Sequence, residues 1–94
     1  MKKLVWTTPA IEDREGVFHY IAEHNPVAAL DMDELFRRKS EILKEYPQMG
    51  VAGRVEGTRE YIVHSSYMLV YEIMDDVVYI LGIVHTSRNW PAPA

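Results

Sequence analysis

The sequence predicts an α+β fold in which an antiparallel sheet packs against an N-terminal pair of helices. Two amphipathic segments, each opened by a polar residue and a proline, fill the first half of the chain, and β-branched and aromatic runs fill the second. Residues 67–73 and 77–84 flank the acidic pair Asp75-Asp76, which is typical of a hairpin. The run 77–84 hardly alternates. A helix is the rival interpretation, but its length and branched residues favour a strand covered on both faces.

Composition limits the classes of protein that the chain can represent. Its 94 residues make one domain, 1–94, of which 48% are hydrophobic and 26% charged. The net charge of −4 argues against binding through nucleic-acid phosphates, so we expect no direct sequence-specific DNA binding by the chain alone. There is no cysteine and no membrane-spanning run, so a cytoplasmic location is expected. His19 and His24 face different ways on a helix, and we expect neither metal nor cofactor.

The chain opens with a short strand and a helix. Residues 3–7 are apolar enough for a first strand. Thr8 then suits the N-cap of a helix, and Pro9 suits its first position because the ring fixes φ at a helical value. Gly16 interrupts the helix, where we expect it to let a second helix approach closely.

A second helix follows at once. Asn25 and Pro26 repeat the arrangement of cap and proline, and the predicted helix runs from residue 26 to about residue 46. Pro47 ends it, because proline cannot continue the hydrogen-bond ladder. Two helices joined by so short a turn must lie antiparallel. The predicted core stripe is Ala28, Met32, Leu35, Ile42 and Tyr46, widened by Phe36 and Leu43.

The rest of the chain is loop and strand. Residues 47–58 contain three glycines and are predicted to be a loop, with a brief extended piece at 51–55. Residues 58–64 form the next predicted strand, and Ser65-Ser66 turns the chain into residues 67–73. The element order is therefore β-α-α-β-β-β, a two-layer sandwich whose last three strands form an antiparallel meander. Residues 92–94 are expected to be a frayed tail.

Six polar residues are hard to explain as ordinary surface: Arg59, Glu60, His64, Tyr71, His85 and Arg88. If the strands on either side both pair with residues 67–73, Arg59, Tyr71 and the segment 85–88 could converge at one end of the sheet. A histidine or glutamate base, a histidine or tyrosine acid and arginines that hold a phosphate could then cleave RNA.

Structural roles remain open for the same residues. Arg59 and Glu60 can form a solvated strand edge. Tyr71 can be a core residue whose hydroxyl reaches a hydrogen-bond partner. His85 can cap a strand as well as act as a catalyst, and Trp90 can be a hydrophobic plug that holds the end of the chain.

Three segments carry a resemblance to a known family. Gly57-Thr58-Arg59-Glu60 opens the second strand, Tyr67-Met68-Leu69-Val70-Tyr71 forms the third, and Val84-His85-Thr86-Ser87-Arg88-Asn89-Trp90-Pro91 follows the fourth. In that order they resemble the RelE/ParE superfamily of bacterial toxins, which are the toxin halves of type II toxin–antitoxin modules. The likeness spans nearly the whole chain and implies the same element order.

The resemblance implies one of two activities, which the fold does not separate. RelE-like members are ribosome-dependent mRNA endonucleases, and ParE-like members inhibit DNA gyrase. Met68 occupies the position of a RelE-like arginine and Tyr61 that of a basic residue, so gyrase inhibition is favoured over mRNA cleavage. A non-toxic interaction domain is the third alternative. For a RelE-like enzyme, the implied catalytic residues are Arg59, Tyr71, His85 and Arg88.

The resemblance also implies partners. A cognate antitoxin with a largely disordered tail would bind the toxin, and DNA gyrase, or the ribosome with its mRNA, would be the target. The expected target-binding residues are Arg54, Arg59, His64, Arg88 and Trp90. The expected antitoxin-binding residues, provided that they are exposed, are Val5, Trp6, Ile62 and Met68.

Overall fold

A helical hairpin covers one face of a five-stranded sheet. The computed structural model describes residues 1–91, so the predicted frayed tail at 92–94 lies outside the described residues. The helices are α1 (Thr8–Ala22) and α2 (Pro26–Glu45). The strands are β1 (Lys3–Trp6), β2 (Val51–Ala52), β3 (Arg59–His64), β4 (Tyr67–Met74) and β5 (Val77–His85). The predicted α+β class is confirmed. Neither helix in the described range is long and apolar enough to cross a lipid bilayer.

Polar side chains set where both helices begin. The Asn25 side chain accepts the Ala28 N–H at 3.0 Å, as the sequence predicts. The predicted cap Thr8 is wrong by one residue, because Thr8 is already helical and the Thr7 hydroxyl accepts an N–H of the first turn. The same hydroxyl donates to the Ile80 carbonyl at 2.7 Å, so the start of α1 is attached to β5.

The sheet has the order β1-β5-β4-β3-β2 and is mixed. The predicted meander is present, since β3, β4 and β5 pair antiparallel in succession. The prediction of a wholly antiparallel sheet is wrong, because β1 lies parallel to β5 on the edge that the meander leaves free. Of the predicted extended piece at 51–55, only β2 pairs, with the first two residues of β3.

Two apolar clusters lie on opposite faces of the sheet. The main core, between helices and sheet, contains Ala10, Phe36, Leu43, Val63, Leu69, Tyr71, Val78, Ile80 and Ile83. On the other face Met68, Val70 and Val84 pack under Trp90, which is therefore the plug that the sequence predicts. Side chains of β5 enter both clusters, and burying each large apolar side chain contributes about 1.5–3 kcal/mol.

Two predictions about the helices need correction. The residues that α2 buries are Ala29, Phe36, Ser40 and Leu43, so the true stripe is rotated from the predicted one. Tyr46 is exposed because the helix ends before it. A Cβ on Gly16 would meet no atom within 4 Å, so this glycine does not serve a close approach by α2.

Candidate functional site

The strand register divides the predicted site residues into two groups along β4. Arg59 lies opposite Tyr71, whereas His64 and His85 both lie opposite Tyr67. Tyr67 and Tyr71 are four residues apart, which is about 13 Å along a strand. β3 and β5 do flank β4, but this register places Arg59 and Tyr71 away from the segment 85–88. The predicted convergence at one end of the sheet is therefore wrong.

The first group is a structural anchor for the loop that follows α2. The Tyr71 hydroxyl is fully buried, donates to the Pro47 carbonyl at 2.6 Å and accepts the Gly50 N–H at 2.9 Å. Arg59 Nη1 donates to the Gly50 carbonyl at 2.7 Å. A Cβ on Gly50 would lie 2.8 Å from the Tyr71 hydroxyl, so this position requires glycine. We call Arg59 and Tyr71 with the backbone of Pro47 and Gly50 the loop anchor.

The loop anchor engages the Tyr71 hydroxyl in two hydrogen bonds with the backbone. Burial raises the pKa of Tyr71, although the Gly50 N–H and the Arg59 charge act in the opposite direction. The phenol is therefore neutral at physiological pH, and its donor and acceptor positions both serve the backbone. These contacts argue against catalysis by Tyr71, which stays a prediction.

The second group forms an open rim where β3 and β5 end. The Tyr67 ring lies between two imidazoles, with centroids 6.2 Å from His64 and 5.3 Å from His85. Each imidazole accepts through Nδ1 the N–H of the serine two residues later, at 3.0 and 3.1 Å. In the neutral state each ring therefore carries its proton on Nε2. We call His64, Tyr67, His85 and Arg88 the histidine rim.

A cleft of about 310 Å³ connects the histidine rim to α1. His85 and Arg88 line the cleft and are exposed, and Gly16 of α1 lines its other side. Partial burial raises the pKa of Tyr67, and the neighbouring Tyr20 raises it further. The cleft thus presents imidazole, phenol and guanidinium groups beside the carboxylates of Glu12 and Asp13, a set that can move a proton. It is lined by Glu12, Asp13, Gly16, Val17, Tyr20, Tyr67, Ile83, His85 and Arg88.

Hydrogen bonds between two turns fix the backbone behind the rim. The Thr86 N–H donates to the Ser66 carbonyl at 2.9 Å, and the Thr86 hydroxyl donates to the Ser65 carbonyl at 2.7 Å. The turn before β4 and the segment after β5 are therefore attached to each other. This attachment holds the two histidine rings on either side of Tyr67.

Asp13 and Tyr67 are the contributors that sequence reasoning missed. Asp13 Oδ2 accepts the Ile83 N–H at 3.0 Å, where the edge of β5 extends past β1. This bond joins residues 70 positions apart, and nothing near Asp13 in the sequence indicates it. Tyr67 could have been found, because it alternates with Tyr71 on one strand face and follows His64 by three residues.

Two further predicted target contacts, Arg54 in the loop before β3 and Trp90 after β5, contact each other. The Arg54 backbone N–H donates to a Glu60 carboxylate oxygen at 2.9 Å. The Arg54 side chain donates from Nη1 to the Trp90 carbonyl at 3.2 Å. The Trp90 indole packs on the second apolar cluster. Binding of a target stays a prediction for all five residues, Arg54, Arg59, His64, Arg88 and Trp90.

The predicted antitoxin-binding residues do not form one surface. Met68 is 2% exposed beneath Trp90, so it does not meet the condition of exposure on which its prediction rested. Val5 is 41% exposed and Ile62 is 66% exposed, but Val5 and Trp6 lie on β1 and Ile62 lies on β3, towards the other edge of the sheet. Within residues 1–91, no three histidine or carboxylate side chains come together as a metal site.

Comparisons with known proteins identify the family. The family described as "ParE toxin of type II toxin-antitoxin system, parDE" matches residues 4–90. Toxin RelE2 of Caulobacter vibrioides is 32% identical over 88 residues, which cover 94% of this chain and 99% of that protein. Y4kP of Sinorhizobium fredii is also 32% identical, over 91 residues that cover 96% of this chain and 94% of the relative.

Solved structures share the fold. The chromosomal ParDE toxin–antitoxin system of P. aeruginosa contains a chain that matches with a TM-score of 0.79 and 21% identity, covering 90% of this chain and 96% of that one. The toxin–antitoxin complex RelBE2 of Mycobacterium tuberculosis matches with a TM-score of 0.61 and 23% identity, covering 89% and 96%. At these identities the likeness is one of fold.

The family model and the two relatives place the chain in the class of small RelE/ParE superfamily toxins. The helical hairpin and the sheet are the fold that it shares with the solved structures. Within that class, the chain belongs to the ParE toxin family of type II toxin–antitoxin systems. It is the toxin component of such a module.

Proposed function

We propose that this toxin arrests growth by inhibiting DNA gyrase and does not cleave RNA with Arg59 and Tyr71. The loop anchor is the observation that carries this proposal. The Tyr71 hydroxyl already donates to one backbone group and accepts from another, so it has no free proton for a phosphate. Arg59 is directed to the Gly50 carbonyl, and the strand register places it away from His85. Met68, which stands where RelE-like proteins have an arginine, is an apolar residue buried under Trp90.

The exposed polar groups supply the contact surface for the target. His85 and Arg88 project from the open border of the cleft on a backbone that two turns hold in place. A protein of net charge −4 gains little from general attraction to nucleic acid, so contacts by this local patch are the more effective route. Gyrase as the target places the toxin in the cytoplasm.

Two parallel assays with purified toxin test the proposal. Inhibition of gyrase supercoiling, with ribosome-bound message left intact, is the expected result. Arg88→Ala should weaken that inhibition, and Arg38→Ala, which changes an exposed arginine on α2, should leave it unchanged. Intact gyrase activity at a toxin concentration that arrests growth would overturn the proposal.

Ribosome-dependent mRNA cleavage is the second candidate, and the histidine rim favours it. Tyr67 between two imidazoles, with Arg88 beside the same cleft, is a set of groups that could transfer protons and hold a phosphate. Message cleavage that His85→Gln abolishes and Tyr71→Phe preserves would establish this function in place of gyrase inhibition.

We further propose that the antitoxin binds along β1 and the neighbouring face of α1. β1 is an edge strand, Val5 is exposed on it, and Arg14 stacks over the Trp6 ring at 4.8 Å. A groove of about 460 Å³ beside Trp6 includes the apolar side chains of Ile11 and Phe18. A disordered tail can add a strand to such an edge and place apolar side chains in the groove.

A matched pair of substitutions tests the choice of edge. Val5→Asp should weaken capture of the toxin by immobilised cognate antitoxin, because it places a charge in the apolar contact. Ile62→Asp, at a more exposed site towards the opposite edge, should leave capture unchanged. The reverse pattern would move the interface to β3.

A further inference from the structure

A nearly buried carboxylate on β3 holds the loop that precedes this strand. The Glu60 side chain is 8% exposed, and its Oε2 accepts the Arg54 N–H at 2.9 Å. Its Oε1 lies 3.6 Å from Arg54 Nε. A carboxylate this deeply buried is tolerated only with such partners, because burial without them removes its hydration. Glu60 thus holds the backbone of Arg54 with a hydrogen bond, and its charge attracts the half-exposed Arg54 side chain across 3.6 Å.

Further hydrogen bonds within the loop hold the backbone beside Arg54. The Gly53 N–H donates to the Thr58 carbonyl at 2.8 Å, and the Thr58 hydroxyl donates to the Val55 carbonyl at 2.6 Å. A Cβ on Gly53 would overlap the Thr58 hydroxyl, which requires glycine at this close approach.

The Arg54 side chain also contacts the segment after β5. Its Nη1 donates to the Trp90 carbonyl at 3.2 Å, while the Trp90 indole packs on the second apolar cluster. At the other end of the segment, Thr86 is hydrogen-bonded to the turn before β4. Arg88 lies between these two attachments, on the border of the cleft.

We propose that Glu60, acting through Arg54, is a positioning residue that holds Arg88 over the cleft for binding to the target. The inference rests on the proposed function, in which Arg88 is a target contact. It also gives Arg54 a role different from direct target binding, because its charge lies against Glu60 and one of its nitrogens is bound to the chain. We call the contacts of Glu60 with Arg54 and of Arg54 with Trp90 the latch. Without it, the segment between Thr86 and Trp90 would lose one of its attachments, and the added freedom would have to be lost again on binding, which lowers affinity.

Fluorine NMR of the full chain labelled with 5-fluorotryptophan tests the latch. The chain has two tryptophans, so Trp6 reports the helix side of the fold and Trp90 reports the latched segment. In Glu60→Gln, the Trp90 resonance should move towards its position in urea-unfolded protein, while the Trp6 resonance stays. Arg54→Ala should give the same shift. Because both act on one contact, the double variant should add nothing further.

A functional assay separates positioning from simple stability. Glu60→Gln should raise the toxin concentration that inhibits gyrase by about tenfold, as expected for losing one charge-assisted contact. Arg88→Ala should give a loss of the same size, and the double variant Glu60→Gln/Arg88→Ala should be no weaker than either. Glu56→Gln, an exposed acid of the same loop, is the matched control and should change neither the spectrum nor the inhibition.

The possible failures are distinguishable. An unmoved Trp90 resonance in Glu60→Gln would overturn the latch, whatever the toxin does to gyrase. A shifted Trp90 resonance with full gyrase inhibition would overturn the positioning role. Wild-type toxin that leaves gyrase active would overturn the proposed function, and the spectra would still report whether Glu60 holds the segment. A Trp6 resonance that moves as well would show that Glu60 supports the whole fold, which contradicts the inference.

Discussion

Tyr67 and Tyr71 lie on the same face of β4, four residues apart, yet they have different roles. The Tyr71 hydroxyl makes hydrogen bonds with the backbone of the loop after α2. The Tyr67 ring packs against Phe36 and two histidines beside the open cleft. Their positions on the strand are equivalent, since both side chains point to the same face of the sheet. The difference arises from the segments that pack over them, a glycine loop in one case and polar turns in the other.

The comparison shows which polar side chains are available to bind a ligand. A buried hydroxyl whose donor and acceptor positions serve the backbone stabilises the fold, whereas a similar hydroxyl at the border of a cleft is available to a ligand. The loop anchor and the histidine rim should therefore respond in opposite ways to substitution. The loop anchor should lose stability, and the histidine rim should lose function.

The largest effect is expected for Tyr71→Phe. Removing the hydroxyl leaves the buried Gly50 N–H and the partly buried Pro47 carbonyl without this partner, which should lower the free energy of unfolding by about 2–4 kcal/mol. Tyr67→Phe is the matched control and should cost less than about 1 kcal/mol. Urea unfolding followed by circular dichroism measures both. Equal losses would remove the distinction between the two tyrosines.

Two glycines give the next largest contrast. In Gly50→Ala the new methyl would lie 2.8 Å from the Glu60 carbonyl oxygen, and we expect a loss of about 1–3 kcal/mol. In Gly16→Ala the methyl meets no atom within 4 Å inside a helix, so a gain of about 0.5–1 kcal/mol is expected. Thermal unfolding of both variants checks the signs. A loss of stability in Gly16→Ala would contradict the open space beside Gly16.

Two arginines sharpen the comparison further. Arg59→Ala should lower the free energy of unfolding by about 1–2 kcal/mol, because it removes a charged donor from the Gly50 carbonyl. Its growth inhibition, corrected for the amount of folded protein, should be unchanged. Arg88→Ala should do the opposite, with stability within about 0.5 kcal/mol of wild type and weaker growth inhibition. A loss of toxicity in fully folded Arg59→Ala would show that Arg59 contributes to toxicity and not only to stability.

The smallest expected effect is a loss of stability at alkaline pH. Burial raises the pKa of Tyr71 above the value of 10.0 that an unfolded tyrosine has. The unfolded chain therefore loses its proton first, so the free energy of unfolding should start to fall as the pH rises through about 10. In Tyr71→Phe this fall should be shallower, although Tyr67 still contributes to it. Urea titrations at a series of alkaline pH values measure it, and equal slopes would contradict the assignment.

Most of the fold could be predicted because its determinants are local. Asn25 with Pro26 marks the start of α2, and the acidic turn before β5 marks a hairpin, in which Asp75 takes a positive φ of 55°. The direction of β1 could not be predicted, since its pairing with β5 links residues at distant points of the chain. The two-residue strand β2 is too short to leave a pattern in the sequence.

The site was only partly predictable for the same reason. His85 and Arg88 follow a recognisable strand, and the structure places both at the rim. The partners of Tyr71 lie 21 and 24 residues away, so no local pattern indicates that its hydroxyl is occupied. The contacts of Glu60 with Arg54 and of Arg54 with Trp90 are likewise visible only once the sheet has brought them together.

The pairing of β1 with β5 has a consequence for synthesis of the toxin. The first strand to leave the ribosome waits for a partner that begins at Val77, and such distant pairing is slow to form. The helical hairpin can form earlier, but the sheet and the cleft cannot be completed until residues up to His85 have emerged. A nascent chain would therefore be inactive through most of its translation. This delay leaves time for an antitoxin made alongside it to be present when the toxin has folded.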